Sequence, residues 1–97
     1  MYGLGLASPQ GGDSLTIGQT DTIRWSSQFN AGGNVGIFLY NETGAVQTIA
    51  ENAPNNGAYP WTVPAAVSAG GDYYIIVKSR VEPNIRGRSG TFTIKGN

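Results

Sequence analysis

The stretch "NNGAYPWTVPAAV" at 55–67 sets Trp61 between Pro60 and Pro64. A helix cannot hold this arrangement, because an interior proline removes a backbone hydrogen bond and its ring clashes with the preceding turn. A strand can, provided the proline sits where its missing N–H points away from the ladder, which confines it to a sheet edge. Tyr59, Trp61 and Val63 alternate with Ala58, Pro60 and Thr62, the period of a half-buried strand. The segment predicts an edge strand that opens after the Asn56-Gly57 turn, turns Trp61 inward and ends at Pro64.

The same alternation recurs at the spacing of a β-sandwich. "GLGLAS" (3–8) offers Leu4 and Leu6 to a core, and "DTIRWSS" (21–27) offers Ile23 and Trp25. "NVGIFLYN" (34–41) turns Val35, Ile37 and Leu39 to one face, and "AVQTIA" (45–50) follows the turn "NETG". After the Trp61 strand come "DYYIIVKS" (72–79) and "GTFTIK" (90–95), the latter with Phe92 and Ile94 inward. Nothing is helix-periodic beyond one turn at "PAAVSA", and no internal repeat is visible. With 15 glycines and only 12% charged residues in 97, the chain has the composition of a turn-rich all-β domain. We expect one domain over 1–97, a seven-stranded immunoglobulin-like, fibronectin type III-like β-sandwich. Trp25, opposite Trp61 on the second strand, should help fill a core that no disulfide reinforces, since the chain has no Cys. In "VSAGGDYYIIV" (67–77) a small apolar residue and a glycine turn precede Tyr73, Ile75 and Val77. That is how the corner between the fifth and sixth strands of such sandwiches reads, where a tyrosine bonds back to the corner backbone. Tyr73 is the candidate.

Taken together, "SPQGGDSLTIGQTDTIRW", "VGIFLYN", "NNGAYPWTVP", "GGDYYIIVKS" and "GTFTI" resemble the N-terminal domain of the KRE/KNH yeast cell-wall family, also called the Ser-Thr-rich glycosylphosphatidylinositol-anchored membrane family. The resemblance runs from about Leu4 to Ile94, and its most specific pieces are G-x-Y-x-W-T-V-P at 57–64 and I-x-W at 23–25. It implies an immunoglobulin-like or fibronectin type III-like sandwich, an extracellular, cell-surface or cell-wall location, and a link to β-glucan assembly in the fungal members. Where the family pattern carries an acidic residue before the last strand, this chain has Arg86 and Arg88.

Catalytic groups are scarce. Without His or Cys, neither a zinc site on those ligands nor a His-based triad can be built. Asp13, Asp21, Glu42, Glu51, Asp72 and Glu82 are spread one per turn or strand end, whereas a glycosidase needs two carboxylates on one cleft. We expect no enzyme and no cofactor. Asp13 and Asp72 flank glycines, which admits a Ca²⁺ contribution, but Asp bonding its own backbone in a turn is the ordinary role. "NET" at 41–43 is a glycosylation sequon, so Asn41 is a candidate site if a eukaryote secretes the chain. The formal net charge is zero, which gives no bulk attraction to nucleic acid or to an anionic membrane. "RGRSG" reads as a glycine turn with solvated arginines rather than an RGG-type segment. No apolar run approaches a membrane span. "MYGLGLASP" lacks the basic region and apolar length of a signal peptide, so the chain reads as a module of a longer protein or a short complete subunit.

The inward pattern also fixes what is left outside. If the third and sixth strands are neighbours, as in immunoglobulin-like topology, their outer face gathers Phe38, Tyr40, Tyr74, Ile76 and Lys78. A contiguous apolar patch on one sheet marks a contact site. The contact is either another protein, a copy or a neighbouring domain, or a cell-wall polysaccharide stacked on the rings; Phe38 and Ile76 favour protein. Beside the patch, Arg80, Arg86 and Arg88 should form a basic loop. Residues 78–97 hold Lys78, Arg80, Arg86, Arg88 and Lys95 against Glu82, a net of four positive charges. Residues 1–77 hold Arg24 against Asp13, Asp21, Glu42, Glu51 and Asp72, a net of four negative.

Overall fold

The alternating segments fold as strands in two facing sheets, and the computed structural model describes residues 3–28, 33–80 and 86–96. β1 (Gly3–Ser8), β3 (Thr20–Gln28) and β6 (Ala58–Thr62) form the smaller sheet, with β3 in the middle. The larger sheet runs in the order β2 (Ser14–Thr16), β9 (Phe92–Lys95), β7 (Gly70–Ser79), β4 (Asn34–Asn41) and β5 (Gly44–Pro54), and β8 (Arg86–Arg88) also pairs with β7. All pairings are antiparallel except β2 with β9. The result is an all-β sandwich with no helix among the described residues.

Among the described residues nine strands stand where seven were expected. The additions, β2 and β8, are three residues each, too short for a period of two to register in the sequence. β2 forms because the chain leaves the smaller sheet after Ser8 and crosses to the larger. Gly12 N–H donates to the Thr91 carbonyl (2.9 Å), and Thr93 N–H donates to that of Asp13 (2.9 Å). Leu15, assigned to no strand from the sequence alone, is thereby carried opposite Ile94 into the core. The crossing is tight: a Cβ on Gly90 would lie 2.8 Å from the Gly11 Cα. "AVQTIA" also extends well beyond its expected end, to Pro54, as an edge strand on β4.

β6 is the edge strand its prolines demand. Trp25 N–H donates to the Gly57 carbonyl (3.0 Å) and Val63 N–H to that of Gln19 (3.1 Å). The hydrogen-bonded pairs thus fall on odd-numbered residues of β6, and Pro60, opposite Thr22, falls between them with no ladder bond to lose. Trp61 is buried, and so is Trp25, but they do not pair across the strands. The register sets Trp61 against Asp21 and Tyr59 against Ile23, because Trp25 lies level with Gly57, before β6 begins. The Trp25 indole N–H donates to Asn55 Oδ1 (2.8 Å), so its polar edge is satisfied. Leu6 packs on the core from β1; the side chain of Leu4 and all of Glu82 lie outside the described residues.

The Tyr73 hydroxyl donates to the Ser68 carbonyl (2.7 Å) while its ring is buried near Phe92, which makes it the tyrosine corner. "PAAVSA" contributes one hydrogen-bonded turn, Val67 N–H to the Pro64 carbonyl (3.1 Å).

Two stability predictions follow from this packing. Trp61→Ala should cost about 3–5 kcal/mol, the range for emptying a large aromatic site, and a domain of this size holds only about 5–15 kcal/mol in all. Denaturant melts should show a barely folded variant; a midpoint equal to the parent's would remove Trp61 from the core. Tyr73→Phe keeps the ring and deletes one hydrogen bond, so it should lower stability by about 1 kcal/mol. The same melts would test it, through a lower midpoint at unchanged slope.

Candidate functional site

β4 and β7 are the central pair of the larger sheet, and the inner face of each is fully buried: Val35, Ile37 and Leu39 on one, Ile75 and Val77 on the other. A strand that buries alternate residues must present the rest outward. The register pairs Gly36 with Lys78, Phe38 with Ile76 and Tyr40 with Tyr74. β8 extends these rows by pairing Arg86 with Lys78 and Arg88 with Ile76. Directly paired residues share a face, so the structure brings Phe38, Tyr40, Tyr74, Ile76, Lys78, Arg86 and Arg88 onto one outer surface.

The rings on this surface are not left bare. Tyr40 and Tyr74 stack with centroids 5.6 Å apart and planes 14° from parallel. The Arg88 guanidinium, from the strand on the other side of β7, lies 3.8 Å from the Tyr74 centroid. Tyr40, Tyr74 and Arg88 therefore form a row in which planar groups cover one another, held by ring stacking and by attraction of the cation to the ring face. Phe38 folds back along its own strand onto Gly36, where a Cβ would lie 2.8 Å from the ring. Lys78 Nζ sits 5.1 Å from the Phe38 centroid. Glycine at 36 is required by this seat, an aromatic ring covering a strand glycine. Phe38, Tyr40, Tyr74 and Ile76 are all half-buried, and the layer packs on itself through the Tyr40–Tyr74 stack and the two cation–ring contacts.

Arg86 and Arg88 lie on a strand, not in a loop. They flank the buried Gly87, so both point outward. Their placement depends on Ser89, whose hydroxyl accepts the Ile75 N–H (2.9 Å) and whose own N–H donates to the Ile75 carbonyl (2.9 Å). This clasp ties the residue that follows β8 to β7 and fixes where Arg88 stands. A lone serine in "RGRSG" gives no sequence signal of such a role. Arg80 is exposed just beyond β7, its N–H bonded to the Asn34 carbonyl (3.0 Å). It borders a pocket of about 150 Å³ shared with Gly36, Phe38, Lys78 and Ser79.

The remaining candidates stand apart. Asn41 sits in the β4–β5 hairpin, its amide oxygen accepting from the Thr43 N–H (2.9 Å) and the Thr43 hydroxyl (2.6 Å). Asp13 takes the turn role, its Oδ2 accepting the Gln10 N–H (2.8 Å). Asp72 adopts a positive φ of 66° beside Gly71. It rims a hollow of about 240 Å³ lined also by Gly12, Thr91 and Thr93. Among the described residues no three acidic, His or Cys side chains converge as metal ligands would.

No curated protein matches the sequence significantly. Among solved structures, the chain is similar to a fibronectin(III)-like module of Clostridium thermocellum CbhA. The TM-score is 0.54 with 14% identity, over 96% of this chain and 93% of that one. At that identity the likeness is one of fold. A family model, described as the Kre9/KNH-like N-terminal Ig-like domain, matches residues 8–94, which span both sheets and every residue of the outer face. The chain belongs to the family of Kre9/KNH-like N-terminal Ig-like domains.

Proposed function

We propose that this domain is a non-catalytic structural module of the cell surface or cell wall, which docks another protein surface through the outer face of its larger sheet. Membership in a family associated with yeast cell-wall synthesis supports the location. The absence of His and Cys from the sequence and the dispersal of its carboxylates support a role without chemistry. One observation carries the docking reading. Both neighbours of Tyr74, Tyr40 and Arg88, lie against its ring, and Phe38 rests on Gly36 with Lys78 over it. A sugar stacks on an open ring face, whereas here Tyr40 and Arg88 lie against the Tyr74 ring and Phe38 is seated on Gly36 with Lys78 over it. Tyr and Arg in a pre-packed layer are what protein interfaces are enriched in, and little rotamer entropy is left to lose on binding.

Phe38→Ser with Ile76→Ser should leave the fold intact, since neither side chain belongs to the inner core, and should abolish docking. Light scattering at matched concentration would show the loss as a smaller particle. The rival reading, a β-glucan-type polysaccharide platform, predicts the reverse pattern. Serine at 38 and 76 would then be silent, while Tyr40→Ala with Tyr74→Ala would release the protein from insoluble β-glucan. Retention on β-glucan that depends on the tyrosines alone would overturn the docking proposal.

A further inference from the structure

Among the described residues no carboxylate pairs with Lys78, Arg80, Arg86 or Arg88. Two of the four are propped on rings, Arg88 on Tyr74 and Lys78 on Phe38. Of the described carboxylates, only Glu51, on the edge strand β5, lies in the same half of the sandwich. The other acids collect at the opposite end. β7 carries Asp72 near its start and Lys78 near its finish. Six residues at about 3.3 Å each separate the two by roughly 20 Å. Continuing the register that pairs Tyr40 with Tyr74 brings Glu42 level with Asp72. Asp21 opens β3 at that end of the other sheet, and Asp13 lies beside Thr93. Lys95 is the described cation among them.

A chain with zero net charge thus carries its charge as two poles on a body 38 Å long. Screening acts over about 8 Å at physiological salt, so the poles do not cancel each other across the molecule. They are available to a partner, and the surface that complements each pole is present on the same chain.

From this polarity, and resting on the docking reading above, we infer that the occupant of the outer face is a second copy of this chain. The second copy presents its Glu42–Asp72 end to the Lys78, Arg80 and Arg86 end of the first. The hollow beside Asp72 gives an arginine of the neighbouring copy a polar recess with a carboxylate at its rim. The contact is heterologous, the acidic end of one copy lying over the basic end of the next copy's outer face, so repetition extends the assembly in a line rather than closing a dimer.

Paired charge reversals test this. Arg80→Glu with Arg86→Glu alters the basic end at exposed positions that hold no ring. Glu42→Lys with Asp72→Lys alters the acidic end, and Asp72→Asn serves if lysine at the positive φ disturbs folding, because Asn tolerates that backbone region. In sedimentation velocity the parent should self-associate, more weakly as salt rises. Each reversed variant alone should associate at least roughly tenfold more weakly, as expected when close charge pairs across an interface are opposed. Mixing the two lysine and glutamate variants should restore association, since each then offers the end the other needs. A parent that stays monomeric at every concentration and salt would overturn the inference, as would a mixture that fails to recover. Association lost in the Phe38→Ser, Ile76→Ser variant but unmoved by charge reversal would overturn it while leaving the docking face in place. A monomeric parent retained on heparin-agarose and released by salt would assign the basic end to a polyanion instead.

Discussion

The β4–β7 ladder is the constraint on which the rest of this domain depends. Its register is fixed from inside, because Val35, Ile37, Leu39, Ile75 and Val77 have no exposed surface left. A slip of one residue would move that whole set to solvent. The same register then determines the outer face without further choice. Tyr40 must meet Tyr74, Phe38 must lie beside Ile76, and Gly36 must sit under whatever Phe38 does. Core and candidate interface are two sides of one pairing, so a mutation that loosens the first also scatters the second.

Around that ladder, short polar devices do what a disulfide does elsewhere. The Ser89 hydroxyl ties the break between β8 and β9 to β7, the Tyr73 hydroxyl ties the corner at Ser68, and Asn55 satisfies the Trp25 indole. Each supplies a partner to a buried or half-buried polar group that would otherwise cost about 1–3 kcal/mol. The described residues contain no buried side-chain nitrogen or oxygen without a partner. Ser89 matters beyond stability, since Arg88 is its immediate neighbour and the cation over Tyr74 stands where the clasp puts it.

How much of this the sequence discloses depends on length and range. Strands that bury alternate residues show their period, so β4 was readable to the residue and the Trp61 strand announced its edge through Pro60, whereas the edge strand β5 buries them irregularly and its last residues were missed. β2 and β8 have three residues each and show none, so Leu15 went unassigned and the two strand arginines were read as a loop. Alternation also foretells which residues share the outer face, but not what they do to one another. That Arg88 covers Tyr74 requires knowing that β8 returns beside β7, and that Phe38 covers Gly36 is a matter of rotamer. Both lie beyond any local pattern.

The edges of the two sheets bear on how copies can meet. Pro60 interrupts the outward donors of β6, β1 is bulged between Leu6 and Ser8, and β5 shifts register against β4 at three places. Bulges and prolines are the ordinary means by which a sheet edge is made unfit to accept another strand. β2, at the far side, is only three residues long and offers little ladder to extend. With strand addition blocked in this way, association has to use side chains. The aromatic layer and the charged ends are the surfaces the fold leaves for it. A module built so resists the open-ended edge pairing that leads to aggregation.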